Sequence, residues 1–154
     1  MIEDYEISRD GFEVSTRFSR LDLDTVHSYL AHSYWKAGVP RELVEKGADN
    51  SLNFGLYHED NQVGYARVVS DYVSFAFLFD VFILTEFRGR GLGKFLIDSV
   101  INCPHLRELR RFYLGTRDAH GLYSQFGFKE VDDPSSLMVL TKEMPWFDPD
   151  LIEE

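Results

Sequence analysis

Hydrophobic and polar positions along the chain switch repeatedly between the spacing of a strand and that of a helix. Residues 12–18 alternate loosely and predict a first strand, whereas residues 22–35 carry apolar side chains three and four positions apart and predict a helix. Asp22 or Asp24 can cap the amino end of that helix. A second, short helix is predicted over residues 41–46, between Pro40 and Gly47.

The middle of the chain predicts strands. Residues 52–57 and 63–69 flank the polar turn 58–61 and predict a hairpin, and residues 74–84 predict a long aromatic strand. A helix is expected after Gly93, with Pro104 as its stop.

Shorter elements complete the pattern. We expect a strand at 111–114, a helix at 119–126 that Asp118 caps and Gly127 ends, and two further strands at 128–131 and 137–140. Residues 142–154 predict an irregular acidic tail. Since no internal linker or repeat interrupts the pattern, we expect one mixed α/β domain over 1–154 with its core at about 10–141.

Composition is that of a globular protein and excludes several classes. The chain has 154 residues, of which 44% are hydrophobic and 27% charged. Its one cysteine, Cys103, excludes an intrachain disulfide, and neither it nor the spacing of the histidines predicts a metal site. The longest nearly apolar run, 72–84, is too short to span a membrane, and four acids in the first ten residues are unlike a signal peptide. We therefore expect a cytoplasmic protein.

The net charge of −10 is unevenly distributed. Residues 88–117 contain seven basic and two acidic side chains, while the remainder of the chain is strongly acidic. The acidic body argues against binding to nucleic acid or to an anionic membrane. The basic stretch is either a solvated face or a local site for a polyanion.

A glycine-rich loop, Arg88-Gly-Arg-Gly-Leu-Gly-Lys94, stands between a predicted strand and a predicted helix. It fails the Walker A pattern, because Arg88 lies where the first glycine belongs and Phe95 follows Lys94. It also fails the G-x-G-x-x-G dinucleotide pattern. Free N–H groups at the start of a helix, glycines and nearby cations still favour an anion there.

Two motifs resemble the GNAT superfamily of acyl-CoA-dependent N-acetyltransferases. Residues 88–93 match its pyrophosphate loop, R/Q-x-x-G-x-G/A, and residues 119–128 match its A-x-x-L-Y-x-x-x-G-F motif about 30 positions later. The resemblance covers roughly residues 10–141. It implies a GNAT-type fold, with a mostly antiparallel sheet of six or seven strands, a splayed strand pair and about four flanking helices.

The resemblance also implies acetyl-CoA as co-substrate. The family's contacts to coenzyme A fall on the splayed strand, the glycine loop, the start of the next helices and the motif tyrosine: Phe82, Ile83, Leu84, Arg88, Gly89, Arg90, Gly91, Leu92, Gly93, Lys94, Asp118 and Tyr123.

The family's chemistry suggests two catalytic residues. Tyr123 matches the tyrosine that protonates the departing thiolate. Asp80 is a candidate general base, but it stands one position from the glutamate of some members. That offset puts Asp80 on the opposite face of the strand unless a bulge intervenes.

Acceptor selectivity in the family comes from the first helices and the turn before the splayed strand. The matching candidates are aromatic or acidic: Tyr29, Tyr34, Trp35, Asp71 and Tyr72. Such side chains suit a cationic or aromatic amine, or are ordinary packing residues. A homodimer is a further expectation from the family.

We therefore expect an N-acetyltransferase that moves an acetyl group from acetyl-CoA directly to a primary amine, of a small molecule or a peptide, in a ternary complex. Cys103 is a poor candidate for an acyl-cysteine intermediate. A catalytically silent acyl-CoA-binding module on the same fold is one alternative. A protein-interaction domain, whose basic stretch meets an acidic partner, is another.

Overall fold

The structure is a computed structural model and describes residues 2–153. Within these residues a six-stranded sheet is flanked by four α-helices, in chain order β1 (Glu6–Arg9), β2 (Phe12–Ser15), α1 (Leu23–Leu30), α2 (Arg41–Asp49), β3 (Leu52–His58), β4 (Asn61–Ser70), β5 (Phe75–Ile83), α3 (Leu92–Ile101), β6 (Arg111–Leu114) and α4 (His120–Ser124).

The strands lie side by side in sequence order, and the sheet opens where β5 and β6 stop pairing. Neighbours from β1 to β5 are antiparallel, whereas β5 and β6 are parallel. Pairing between β5 and β6 stops at Leu78 and Leu114, while β5 continues to Ile83. The predicted mostly antiparallel sheet with a splayed strand pair is therefore confirmed.

A one-residue bulge interrupts β5 just beyond the splay. Arg67 on β4 pairs with Phe79, but Tyr65, two positions away, pairs with Phe82, three positions away. Asp80 within the bulge has a positive φ of 58°, a left-handed conformation that is rare outside glycine. The extra residue shifts the alternation of side chains, so Phe79 and Phe82 share one face of the sheet.

Two hydrophobic cores cover the two faces of the sheet. The α3 core packs α3 residues such as Phe95, Leu96 and Val100 against the strands. The α1–α2 core packs Val26 of α1 and Val44 of α2 against Tyr65 and Phe82, among others. The bulge therefore places Phe82 in the α1–α2 core, while Ala76 and Leu78 of the same strand pack in the α3 core.

Helix α1 begins as the sequence predicts but ends earlier. The carboxylate of Asp22 caps it, since the Thr25 N–H donates to Asp22 Oδ1 at 3.2 Å. The helix ends at Leu30 instead of Trp35, and the following residues turn back so that the Gly38 N–H donates to the Ala31 carbonyl at 2.8 Å. This turn carries Tyr34 and Trp35 towards β5.

Two strand predictions were wrong, and a third strand is shorter than predicted and is the second in the chain, not the first. Residues 12–18 form only β2, and the preceding β1 has a polar, edge-strand sequence without apolar alternation. Residues 128–131 and 137–140 form no strand, because they have no ladder partner among residues 2–153. Apolar side chains alone thus did not specify a strand at 137–140.

After residue 145 the chain packs against the rest of the domain. Trp146 packs on the α1–α2 core, the Asp148 N–H donates to the Ala37 carbonyl at 3.0 Å, and the Glu153 N–H donates to the His32 carbonyl at 2.9 Å. Residues 142–153 contain neither strand nor α-helix, as the sequence suggested, but the last residues described are held against the turn after α1. No helix in the described part of the chain is long and apolar enough to cross a bilayer.

Candidate active site

The divergence of β5 and β6 opens a cleft of about 1870 Å³. Its long wall is β5 from Phe77 to Ile83, which is free of β6 beyond Leu78, and the opposite wall is the segment from Leu114 to Ala119. The glycine loop before α3 closes one end, and residues of α1 and the turn after it line the side. One continuous space therefore joins the loop to the splayed strands.

The loop presents the open amino end of α3. Gly89 and Gly91 both have a φ of 76°, which side chains other than glycine rarely adopt. No side chain caps α3 at Gly91, so the first N–H groups of the helix carry no side-chain acceptor. Together with the helix dipole, they form a site for an anion such as a phosphate.

Among the cations of the loop, Arg88 is the one that lines the cleft. Its Nε donates to the Ile83 carbonyl at 3.1 Å, and a terminal nitrogen donates to the Tyr29 hydroxyl at 2.5 Å. Arg90 packs instead over the rings of Phe12 and Phe87, on the other side of the loop. The Lys94 side chain is solvent-exposed and outside the cleft lining.

The splayed part of β5 forms an aromatic wall. Phe82 is buried and stacks on Tyr29 with ring centroids 4.0 Å apart, and Ile83 and Leu84 continue the wall towards the loop. The predicted positions 82–84 therefore line the same cleft as Arg88, Gly89, Gly91, Leu92 and Gly93.

Tyr123 faces this cleft from α4. Its ring is buried in the α3 core and contacts Phe128 edge to face at 5.9 Å. Burial, with smaller effects from Tyr34 and Asp118, raises the pKa of Tyr123 to about 12. The hydroxyl therefore keeps its proton at neutral pH, as a general acid must.

The predicted cap of α4 was wrong. The Ala119 N–H donates to Oγ1 of Thr116 at 3.0 Å, so Thr116 supports the start of this short helix. Asp118 is exposed at the cleft wall and makes no capping bond to α4.

The bulge in β5 determines the role of Asp80. Its carboxylate turns to the face of Arg67, and its side chain is only 2% exposed. Lys36 Nζ and Arg67 Nε each donate to Oδ2 at 2.8 Å, while Trp35 Nε1 donates to Oδ1 at 3.0 Å. Burial alone would raise the pKa of Asp80, but these two cations outweigh it and hold the pKa below its usual 3.8.

These contacts favour a positioning role for Asp80. A carboxylate whose pKa is lowered, and whose oxygens accept bonds from two cations and an indole N–H, is a weak proton acceptor at neutral pH. The bulge that the prediction of a general base required is present, but it delivers Asp80 into an ion-pair cluster. That cluster fixes Trp35 and Lys36 beside the cleft.

The predicted acceptor residues separate into two groups. Tyr29, Tyr34 and Trp35 line the cleft, and the Arg117 guanidinium lies 3.8 Å from the Tyr34 ring centroid. Asp71 and Tyr72 lie in the turn before β5, outside the cleft lining.

Both of these side chains have contacts within the body of the protein. The Asp71 carboxylate accepts bonds from the Val73 and Ser74 N–H groups at 3.0 and 2.8 Å, and it thereby stabilises the turn. The Tyr72 side chain packs on the α3 core.

Sequence reasoning missed several cleft residues: Lys36, Phe77, Phe79 and Arg117. Arg67 was missed as well, although a charged side chain inside an otherwise apolar strand signals a buried partner. For Lys36 the sequence carries no such signal, since a lysine after a helix is ordinarily solvated.

The donors around the cleft suit anion binding and acyl transfer. Among residues 2–153, no three His, Cys, Asp or Glu side chains are grouped to hold a metal ion. The start of α3 offers N–H donors, β5 and Tyr29 offer an apolar wall, and Tyr123 offers a protonated hydroxyl. This order fits a long molecule with a phosphate group at one end and a reacting group at the other.

Comparison with protein families gives a match over most of the cleft-forming chain. The model of the acetyltransferase (GNAT) family matches residues 18–128, which include α1, the glycine loop and Tyr123.

Individual proteins and structures are also similar. A Gibberella zeae protein assigned as an acetyltransferase is 28% identical over 147 residues, covering 80% of this chain and 82% of its own. The [ribosomal protein bS18]-alanine N-acetyltransferase of Haemophilus influenzae is 28% identical over 101 residues, covering 64% and 66%. A crystal structure from Xanthomonas campestris pv. campestris, assigned to the GNAT family of acetyltransferases, is 45% identical, with a TM-score of 0.84 and coverage of 88% and 96%.

Proposed function

The chain belongs to the acetyltransferase (GNAT) family, and on that premise we propose that it is an acetyl-CoA-dependent N-acetyltransferase acting on a primary amine. One observation carries this proposal. The open amino end of α3 and the buried, protonated Tyr123 line the same cleft as the free end of β5. Phosphate binding and proton donation thus have separate points in one elongated site.

Each wall of the cleft contacts a different part of acetyl-CoA in this proposal. The N–H groups at the start of α3, with Arg88, bind the pyrophosphate of coenzyme A. The aromatic wall at Phe82 and Tyr29 excludes water beside the pantetheine arm. When bound, acetyl-CoA supplies an activated acetyl group.

Tyr123 completes the chemistry as the general acid. Its hydroxyl donates a proton to the departing thiolate, and its raised pKa keeps that proton available across the neutral range. The amine that accepts the acetyl group loses a proton to water, because the carboxylate of Asp80 is occupied by Lys36 and Arg67.

Direct transfer in a ternary complex is supported by the surroundings of Cys103. This thiol is 1% exposed, and burial raises its pKa. A buried thiol is a poor nucleophile, and Cys103 lies outside the cleft lining. Initial-rate plots against both substrates should therefore intersect rather than run parallel.

The acceptor end of the cleft is aromatic. Tyr34 and Trp35 stand there with Phe77 and Phe79 of β5, and the adjacent cations are Lys36 and Arg117. These side chains support an amine attached to a flat or apolar group, in a small molecule or at the end of a peptide. The Haemophilus influenzae relative is named for transfer to an alanine of a ribosomal protein, which makes peptide amino termini one class to test.

Calorimetric titration of the protein with acetyl-CoA tests the binding part of the proposal. We expect saturable binding by the native protein and about tenfold weaker binding by Arg88→Ala, since a charge-assisted contact to phosphate is lost. Arg107→Ala is the matched control, because Arg107 is exposed in the same basic stretch but outside the cleft lining. Absence of binding would contradict both the enzyme and the silent acyl-CoA-binding module, and would favour an interaction domain.

An acceptor screen tests the chemical part. Release of free coenzyme A thiol is followed with arylalkylamines, polyamines, amino acids and peptides that have free amino termini. Turnover with one of these amines would establish N-acetyl transfer. Tight acetyl-CoA binding without turnover for any amine class would favour the catalytically silent module.

A further inference from the structure

Arg117 carries a charge that the described part of the chain does not neutralise. The residue is exposed and lies on the cleft wall formed by residues 114–119. The ion pairs among residues 2–153 all join other groups. Arginine binds a carboxylate through two parallel N–H donors, so this side chain is available to an anion that enters the cleft.

A contact with Tyr34 holds the Arg117 guanidinium across the cleft. Its carbon atom lies 3.8 Å from the centroid of the Tyr34 ring. Tyr34 belongs to the turn after α1, so the contact joins two walls of the cleft. Because a guanidinium stacked on a ring face keeps the N–H groups at its edge, its donors remain available to a ligand.

The Tyr34 side of this contact is fixed by the Asp80 cluster. Tyr34 packs edge to face on Trp35 with ring centroids 4.9 Å apart, and Trp35 Nε1 donates to Asp80 Oδ1 at 3.0 Å. The buried carboxylate therefore holds the aromatic pair, and the aromatic pair holds Arg117. A cation supported in this way is prepositioned for a ligand.

The contact lies near the reacting end of the cleft. Tyr34 is close enough to Tyr123 to contribute to the raised pKa of the Tyr123 hydroxyl. The cation assigned to the phosphates of coenzyme A is Arg88, which contacts Tyr29 at the glycine loop. An anion bound by Arg117 therefore belongs to the acceptor.

The neighbouring cluster adds positive charge. Lys36 and Arg67 share the single carboxylate of Asp80, so these three side chains together have one excess positive charge. Lys36 lines the cleft beside Trp35. Within a chain whose net charge is −10, this end of the cleft is locally cationic.

The other acids of the cleft lining leave Arg117 unpaired within residues 2–153. Asp24 pairs with Arg41, and Glu153 Oε1 lies 3.6 Å from His32 Nδ1. Asp118 follows Arg117 in sequence and is exposed, but the two side chains form no ion pair. The local positive charge is thus not cancelled by the wall itself.

We propose that the acceptor amine also carries a carboxylate, as a free amino acid with an aromatic side chain does, and that Arg117 binds this carboxylate. The inference rests on the proposed N-acetyltransferase function and names its acceptor class. Trp35 and Phe79 line the cleft beside the cation and suit the aromatic ring. A site built to bind a charged group selects against the analogue that lacks it.

Matched pairs of acceptors test the inference. Phenylalanine and phenethylamine differ by one carboxylate, as do tryptophan and tryptamine. We expect kcat/KM of the native protein to favour the carboxylated member, and Arg117→Gln to lower this preference about tenfold or more. Comparing each ratio between native protein and variant cancels the different basicity of the two amines.

Arg110→Gln is the matched control, because Arg110 is exposed in the same basic stretch but lies outside the cleft lining. It should leave the ratio unchanged. A native protein that prefers the amines without a carboxylate, or equal effects of the two substitutions, would overturn the proposal.

Binding measured without turnover separates this inference from the proposed function. Calorimetric titration with phenylalanine and with phenethylamine is carried out in the presence of coenzyme A. Tighter binding of phenylalanine that Arg117→Gln weakens, without acetylation, would support the carboxylate site and contradict the proposed reaction. Acetylation of amines that is insensitive to Arg117→Gln would support the reaction and overturn the carboxylate site, as would the absence of both binding and acetylation of phenylalanine.

A comparison of acyl donors distinguishes a carboxylate on the acceptor from one on the acyl group. Succinyl-CoA carries a terminal carboxylate that acetyl-CoA lacks. We expect Arg117→Gln to leave the ratio of rates with these two donors unchanged. A preference for succinyl-CoA that Arg117→Gln abolishes would overturn the assignment of Arg117 to the acceptor.

Discussion

The indole N–H of Trp35 donates a hydrogen bond to Oδ1 of Asp80 at 3.0 Å, across 45 positions of sequence. This bond fixes the turn after α1 to the bulge of β5, at the point where the strand leaves β6. It ties the geometry of the aromatic acceptor end to a buried charge. Because Lys36 and Arg67 pair with the Asp80 carboxylate, the stability of the protein should depend on this residue and on pH.

Replacing Asp80 with Asn should destabilise the protein strongly. Lys36 and Arg67 would lose their shared carboxylate in a mostly buried site, which costs about 3–5 kcal/mol when one partner of a buried ion pair is removed. Urea unfolding monitored by fluorescence measures the change. Asp98→Asn, which removes an exposed pair with Arg9, should change the free energy of unfolding by less than about 1 kcal/mol.

The same carboxylate should make the native state acid-sensitive. Because the folded-state pKa of Asp80 is below its usual 3.8, its contribution is fully present above that value and is lost as pH falls through the folded-state pKa. Unfolding free energies measured from pH 7 to below pH 4 should thus fall less steeply in Asp80→Asn than in the native protein. Parallel curves for the two proteins would contradict the assigned ion pairs.

Replacing Tyr123 with Phe should reduce kcat about a hundredfold or more while acetyl-CoA affinity changes little, because the proton donor is lost but the buried ring remains. With a pKa of about 12, Tyr123 should cause no decline of the rate between about pH 7 and 10. Steady-state kinetics over that range, beside calorimetric titration, provide both measurements. Tyr72→Phe is the control, since Tyr72 also packs on the α3 core but lies outside the cleft.

Two glycine-to-alanine variants should change stability in opposite directions. Gly91→Ala forces a side chain into a left-handed conformation at the start of α3 and should cost about 1–2 kcal/mol. Gly121→Ala, inside α4 with open space around it, should stabilise by about 0.5–1 kcal/mol. Thermal unfolding of both variants measures this contrast, and a stable Gly91→Ala protein would argue against the loop conformation described.

Two buried tyrosines make a further matched pair. The Tyr57 hydroxyl is buried without a hydrogen-bond partner among the described residues, whereas the Tyr65 hydroxyl donates to Asn53. Tyr57→Phe should therefore be neutral or stabilising, and Tyr65→Phe should cost about 1–2 kcal/mol because it leaves the Asn53 oxygen unpaired. Denaturant titration of the two variants measures their free energies of unfolding. Equal losses of stability in both variants would contradict the prediction.

Structural features that depend only on residues close together in sequence could be predicted. The cap by Asp22 on α1 depends on a helical spacing that the next few residues display. The glycine loop before α3 likewise depends on local backbone conformation, so a turn into a helix could be predicted from residues 88–94. The family's tyrosine motif led to Tyr123, which the structure then places in the same cleft.

Contacts across the chain were not accessible in this way. Lys36 looked like an ordinary solvated lysine after a helix, but its Nζ donates to the Asp80 carboxylate 44 positions away. Residues 137–140 have the composition of a strand, yet a strand exists only where a partner edge is available, and that partner is a matter of tertiary or quaternary structure.

The sequence by itself therefore determined the α/β class and the glycine-rich start of α3, because helix caps, glycine conformations and hydrophobic spacing are local properties. Tyr123 was found only through its resemblance to the family's motif. Only the tertiary structure decided which way Asp80 points. One extra residue in β5 moves its carboxylate to the face that holds Lys36, Arg67 and Trp35, and the position of a bulge is set by pairing with β4. The chemistry of the acceptor end follows from that pairing, which no single segment of the sequence specifies.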